Sequence, residues 1–306
     1  MYRFIKKLGA FAGFTSIFYF VAVFISGYFF PREFHRNLYY KKGQSGHTLS
    51  RLQEADTTGK IDLLFIGSSH AYRGFDTRIF AANHYRAFNL GTSSQTSLQS
   101  YVLLRKYLEK MNPERVIIEV NPESFVFDGV ESGVDLLSND DIGYHWLKTV
   151  FQINDIRTYN TLIYKTWTQI LGIDRGMQEP DIYENDRYVP GGYVEKLGPY
   201  HDFQTDSTRA KMEMKPLQTR SFECIIRYLK ARNQKYILVQ APVWRKYEQA
   251  YINYDDFVSY MARFGDYYDF NKVRQYPRDL FYDDLHLTQP GVRLFNEDLI
   301  AFLRDK

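Results

Sequence analysis

From Leu8 to Phe30 the chain carries no charged residue and is strongly apolar. A helix of about 20 such residues crosses a hydrocarbon core, so the run reads as a membrane span tethering whatever folds after it. Lys6 and Lys7 precede it, and Pro31-Arg32 ends it. Gly9, Gly13 and Gly27 are tolerated in such helices, and Tyr19 and Tyr28 suit a membrane–water interface. A secretory signal peptide is the rival reading. Its apolar region normally runs about 7–15 residues before a small-x-small cleavage site. Ser26-Gly27 is followed by the bulky Tyr28-Phe29-Phe30, a poor place to cleave, so the pattern favours an uncleaved anchor over residues 1–30. Orientation is not fixed by charge, because Arg3, Lys6 and Lys7 on one side face Arg32, Arg36, Lys41 and Lys42 on the other.

With 306 residues there is room for one large domain or a domain with insertions. The net charge of +3 and the lack of a Lys/Arg block argue against a nucleic-acid partner. Aromatic residues make up 17%, a proportion that serves core packing and also suits sugar or lipid-headgroup clefts. Cys224 is the single cysteine, so no internal disulfide can form. Its apolar neighbours, Phe222, Ile225 and Ile226, mark it as a structural thiol.

After a polar stretch over residues 31–60, read as a juxtamembrane connector, short apolar runs alternate with helical patterns over 61–306. That alternation predicts an α/β fold with a mostly parallel sheet and crossover helices. Strands are expected at Ile61–Ile66, Tyr85–Leu90, Arg115–Val120 and Tyr236–Gln240, with a short run at Tyr267–Phe270. Helices are expected from Asp76 to Asn83, Thr96 or Ser97 to Lys110, Ser221 to Ala231, Asp255 to Phe264, and from Pro290 onward. The last carries Val292, Phe295, Leu299 and Phe302 on one stripe. Residues 124–215 break the pattern and read as an insertion over the C-terminal edge of the sheet, where open α/β folds bind ligands.

Two distant segments carry chemistry. Gly67-Ser68-Ser69-His70 follows the first strand, and Asp283-Asp284-Leu285-His286 precedes the last helix. A strand ending in small residues permits a tight turn that exposes a serine hydroxyl, although a serine there also serves as a helix cap. If the second loop turns back, Asp283 reaches the His286 ring and holds the tautomer whose other nitrogen accepts the Ser69 proton. Asp284 competes with Asp283 for that role, but the Asp-x-x-His spacing favours Asp283. His70 is too close in sequence to act as base for Ser69 and either contacts substrate or stabilises the turn. Arg73 either meets an anionic substrate group or forms a surface salt bridge. The remaining histidines show no metal-ligand spacing, and Gly67-Ser68-Ser69 lacks the lysine of a phosphate loop, so no cofactor is expected.

These blocks, in this order along nearly the whole chain after the anchor, resemble the SGNH (GDSL-like) hydrolase superfamily. Ser69 matches the nucleophile of its Gly-Asp-Ser block, with Ser68 in place of the usual Asp. Asn89-Leu90-Gly91 matches the block whose glycine amide serves the oxyanion hole, and Asp283 and His286 match the final Asp-x-x-His. The third block departs: Glu119-Val120-Asn121-Pro122-Glu123 offers Asn121, without the usual glycine and following Asp. Asn121 therefore stands between an oxyanion role and a turn cap. The resemblance implies a three-layer flavodoxin-like domain, a Ser69–His286–Asp283 triad, and oxyanion donors at Ser69, Gly91 and Asn121.

The Gly-Ser-Ser start, the membrane helix and the insertion are similar to the membrane-anchored branch that includes the D-alanyl transfer protein of teichoic acid modification and alginate O-acetylation proteins. That similarity implies a single-pass membrane protein with an extracytoplasmic catalytic domain acting on a cell-surface polysaccharide or other acylated substrate. A membrane acyltransferase is a compatible partner for such a transfer system. Two other classes remain: a catalytically silent glycan-binding or scaffold domain, and a plain extracytoplasmic esterase or lipase.

Overall fold

The computed structural model describes residues 1–30, 41–44, 46–198, 203–204 and 208–305. Helices α1 (Tyr2–Phe29) and α2 (Thr48–Ala55) come first. Then β1 (Leu63–Ile66), α3 (Ser69–Gly74), α4 (Thr77–Ala82), β2 (Ala87–Asn89), α5 (Ser97–Met111) and β3 (Arg115–Glu119) follow in turn. The next stretch holds α6 (Glu123–Val126), α7 (Val130–Asn139), α8 (Tyr144–Ile153) and α9 (Ile156–Leu171). It ends in an antiparallel sheet of β4 (Ile182–Tyr183), β5 (Asp186–Val189) and β6 (Tyr193–Lys196). The chain returns through α10 (Pro216–Lys230) to β7 (Lys235–Gln240), then α11 (Tyr247–Ala250), α12 (Tyr254–Ala262), β8 (Tyr267–Asp269) and α13 (Gln289–Arg304).

The large sheet has the order β2-β1-β3-β7-β8, and every neighbouring pair is parallel. Pairing Phe65 with Asn89, Ile66 with Ile118 and Glu119 with Val239 brings the C-terminal ends of the strands to one edge. The α/β fold with a parallel sheet is as the sequence pattern predicts. Along β1, Leu64 and Ile66 enter one core while Leu63 and Phe65 enter the other, so the period-two pleat feeds both faces. The first core is covered by Leu103 and Leu104 of α5, Phe222 and Ile225 of α10 and Phe257 of α12. The second is covered by Phe80 of α4 and by Val292, Phe295 and Leu299 of α13. Each fully buried side chain of this size contributes about 1.5–3 kcal/mol over its exposed state.

Helix starts follow local chemistry. Thr96 caps α5 in a reciprocal box with Gln99, and the Asp76 carboxylate accepts the Arg78 amide at the start of α4. Within the connector expected at 31–60, Thr48–Ala55 is helical, with Leu49, Leu52 and Ala55 buried and α7 packed alongside. The spacing of those three apolar residues is a single helical stripe, short enough to be overlooked in a polar stretch. The helix stop expected at Pro31-Arg32 and the first part of that connector lie outside the described residues. Cys224 sits half-buried on α10. Inside the expected insertion, β6 packs on α3, the helix that follows the C-terminal end of β1.

Candidate active site

Ser69 is the first residue of α3, directly after the turn that ends β1. A Cβ at Gly67 would lie 2.6 Å from both Cβ and Oε2 of Glu119, so the tight turn depends on a missing side chain. The space is filled by the Glu119 carboxylate at the end of β3. Its Oε2 accepts the Ser68 backbone N–H at 2.9 Å and the Ser68 hydroxyl at 3.0 Å. Ser68 Oγ in turn accepts the His70 backbone N–H at 3.3 Å and caps α3. This locks the turn and leaves the Ser69 side chain partly exposed while its neighbours are buried.

The second loop does turn back. Phe281 and Leu287 form an antiparallel bridge, and the Tyr282 N–H donates to the His286 carbonyl at 2.7 Å. Both bridge residues are buried in the second core and so anchor the loop. Inside it, Asp283 Oδ1 accepts the backbone N–H groups of Leu285 and His286, each at 2.8 Å. The Trp244 N–H donates to the Asp284 carbonyl at 3.0 Å, tying the loop to the exit of β7.

The two segments, 217 residues apart, meet. His286 Nε2 lies 2.8 Å from Ser69 Oγ, and His286 Nδ1 lies 2.9 Å from Asp283 Oδ2 and 3.0 Å from Oδ1. Burial works to raise the Asp283 carboxyl, but the His286 hydrogen bond and charge and the two backbone N–H groups overcome it and bring it down to about 2. It is therefore ionised at neutral pH and accepts the Nδ1 proton, leaving Nε2 as the base toward Ser69.

The other sequence candidates have definite places. His70 is 5% exposed, and its ring stacks on that of His286 with centroids 5.5 Å apart. Burial, reinforced by the nearby His286, lowers its pKa against the opposing pull of Glu119, so it is neutral. The Arg73 guanidinium forks onto Asp186 of β5 at 2.9 and 2.7 Å. The sequence offers Arg73 either to an anionic substrate group or to a surface salt bridge; in the structure it forms an ion pair, largely buried, that clamps α3 to the antiparallel sheet.

Asn121 is 2% exposed, and its Nδ2 donates to Ser68 Oγ and Glu119 Oε1, both at 3.0 Å, and faces His70 Nδ1 at 3.2 Å. Its Oδ1 accepts the Ser124 N–H at 3.0 Å, the turn-cap arrangement. The Gly91 amide donates to Asn89 Oδ1 at 3.0 Å. Gly91 is needed for a close approach, since a Cβ there would sit 2.8 Å from that of Ala71. The Ser69 amide, at the first helical position, lacks an intrahelical acceptor by geometry.

Glu119 was not among the sequence candidates, although a carboxylate closing the apolar run Val116-Ile117-Ile118 is a visible signal. Among the described residues no group of His, Cys, Asp and Glu is arranged to hold a metal ion. No family model matches the chain, and a search of curated proteins returns no match.

Proposed function

We propose that the protein is a membrane-anchored enzyme of SGNH type that performs serine-dependent acyl transfer or ester hydrolysis on a cell-surface glycan or polymer. The observation that carries this reading is the relay of Ser69 Oγ, His286 Nε2 and Asp283, with heavy-atom distances of 2.8 and 2.9 Å. Supporting it, the large sheet counted by itself has the doubly wound order 2-1-3-4-5 of flavodoxin-like folds, and the triad lies at the carboxyl ends of its strands. The carboxylate absent at position 68 is supplied from β3 by Glu119.

In the proposed reaction, Ser69 Oγ attacks an ester or thioester carbonyl as its proton passes to His286 Nε2. Asp283 stabilises the resulting imidazolium through Nδ1–H. Neutral His70, stacked on His286, adds no second positive charge beside it. The imidazolium protonates the leaving group, and the acyl chain remains on Ser69 as an ester. His286 then takes a proton from water or a sugar hydroxyl as that oxygen attacks the acyl carbonyl, and returns the proton to Ser69 Oγ as the acyl–Oγ bond breaks. The Ser69 amide is placed to receive the developing oxyanion. Gly91 and Asn121 would join it only by exchanging their present acceptors, and each such donor is worth about 3–4 kcal/mol.

Hollows beside the Asp283–His286 loop are not themselves lined by Ser69, His286 or Asp283. Two adjoining hollows of about 510 and 250 Å³ share Lys246, Asn271, Arg274 and Gln275, and the smaller is flanked by Trp244 and Arg245, whose backbone N–H groups reach the Asp284 carbonyl. The α1 helix, 28 residues long and containing an 18-residue window of mean hydropathy 2.1, is long and apolar enough to span a membrane and fits the proposed tether. The alternative of a catalytically silent glycan-binding or scaffold domain draws on the engaged state of the Gly91 and Asn121 donors.

Turnover of an acetylated oligosaccharide, followed by product analysis with water and sugar acceptors in competition, tests the proposal. Wild type is expected to cleave or transfer the acetyl group while Ser69→Ala does neither. Equal turnover by the two proteins, or none by a folded wild type, counts against an enzyme. Transfer to sugar in preference to water separates a transferase from an esterase.

A further inference from the structure

The imidazole of His70 is held more firmly than the turn requires. The α3 cap uses the His70 backbone N–H, which donates to Ser68 Oγ, so the cap makes no demand on the ring. Yet the ring is buried and its edge is pinned. Nδ1 lies 3.2 Å from Asn121 Nδ2, 3.3 Å from Ser68 Oγ and 3.6 Å from Glu119 Oε1. Those groups are themselves fixed. The Glu119 side chain is fully buried, and the Ser68 hydroxyl and the Asn121 amide both donate to its carboxylate. The Ser124 N–H, donating to Asn121 Oδ1, sets which way that amide faces.

The face of this pinned ring meets the base. The His70 and His286 rings are inclined by 29° with centroids 5.5 Å apart, within the range of an offset stack. His286 is thus approached at Nδ1 by Asp283, at Nε2 by Ser69 and across one face by His70. The first two contacts are hydrogen bonds at the ring edge, and such bonds tolerate out-of-plane tilt before they weaken steeply. A flat neighbour against the face opposes that tilt. Leucine at position 70 would fill the space without a flat face, and phenylalanine would give the face without the pinned edge. Histidine supplies both.

We propose that His70 is a positioning residue: its ring, pinned by Ser68, Asn121 and Glu119, is a wall that keeps the His286 imidazole in line between Asp283 and Ser69 Oγ. This rests on the reading of Ser69, His286 and Asp283 as a working triad. It gives the Glu119 carboxylate a task beyond closing the turn after β1, because through His70 it also steadies the base. His70 carries no proton in the reaction. The charged and titratable groups acting on it are Glu119 of β3, Glu123 of α6, and Asp283 and His286 of the loop, and burial among them leaves it neutral.

Steady-state hydrolysis of 4-nitrophenyl acetate by the full-length protein in detergent, with active sites counted by fluorophosphonate titration, tests this. His70→Ala and His70→Leu remove the flat face, and kcat is expected to fall about 10- to 100-fold with little change in KM. His70→Phe restores the face and is expected to recover most of that loss. His70→Asn, whose amide oxygen stands near the place of Nδ1, is expected to recover little. Circular dichroism and thermal unfolding report whether each variant folds; if His70→Ala does not, His70→Leu decides in its place. The pH–rate profile of His70→Phe is expected to keep the wild-type shape, since the ring it replaces does not titrate during turnover. Wild-type kcat in folded His70→Ala or His70→Leu overturns the proposal. Rescue by Asn but not by Phe also overturns it, by assigning the effect to the pinned edge and the turn. A raised KM with kcat intact makes His70 a substrate contact, and an altered pH profile makes it a proton carrier; either result counts against a wall. A folded wild type no faster than Ser69→Ala removes the triad reading itself, and this proposal with it.

Discussion

Asp283 performs three tasks with one carboxylate: it holds the Leu285 and His286 amides and the His286 ring. On the proposed mechanism, Asp283→Asn offers the wrong hydrogen-bonding pattern to Nδ1, and kcat is expected to fall about 10⁴-fold with the loop still in place. Steady-state kinetics on an acetyl ester checks this. The same residue sets a pH dependence of stability. Its carboxyl is lower in the folded chain than its usual value near 4, so it stabilises the fold above about pH 4, and that contribution is lost as pH falls toward about 2. Denaturant unfolding across that window is expected to show a smaller loss in Asp283→Asn than in wild type. Arg73 behaves differently, because its fork onto Asp186 joins α3 to β5 with both side chains largely buried. Arg73→Ala is expected to lower unfolding free energy by about 2–4 kcal/mol while leaving KM for a neutral ester unchanged. A raised KM with unchanged stability would return Arg73 to a substrate-binding role.

At the scale of elements, the Asp283–His286 loop is held by its neighbours' backbones. Gly291, early in α13, packs so closely on the Leu280 carbonyl that a Cβ could not be accommodated without a shift. Gly291→Ala is expected to move the Asp283–His286 loop and cut turnover sharply, with a smaller change in thermal midpoint, since Val292, Phe295 and Leu299 still anchor α13. Comparing kcat with the melting temperature of the same variant checks this. The elements of the large sheet were legible in sequence because Val116-Ile117-Ile118 and Ile237-Leu238-Val239 are runs that only a strand covered on both faces wants. The antiparallel strands β4 to β6 were not. They are two to four residues long, carry charges such as Asp186, Arg187 and Glu195, and are held by contacts to α2 and α3 that no local pattern encodes. Helix α3 was hidden for a similar reason, being six residues long and started by a cap that depends on Ser68.

Across the whole molecule, the site was legible to the extent that motifs are local. Asp283 and His286 sit three residues apart, and Ser69 follows a recognisable strand, so spacing together with the order of the blocks along the chain nominated them. What spacing does not encode is which hydrogen-bond donors are already engaged. Gly91 and Asn121 occupy positions that suit an oxyanion role, yet their donors go to Asn89 and to the Ser68–Glu119 pair. The Asn121 allocation depends on Ser68 after β1 meeting Glu119 at the end of β3, a tertiary contact invisible along either segment alone. The same logic applies to α1, whose apolar length was plain in sequence while its packing on α9 was not.

The central proposal is that Ser69 is a nucleophile activated by His286. Intact-protein mass spectrometry after exposure to a serine-reactive fluorophosphonate tests it most directly, followed by peptide mapping of the adduct. One phosphonyl group on Ser69 in wild type, absent in Ser69→Ala and strongly slowed in His286→Ala, is the result the triad predicts. A folded wild-type protein that stays unmodified, or an adduct that persists in Ser69→Ala, would contradict it.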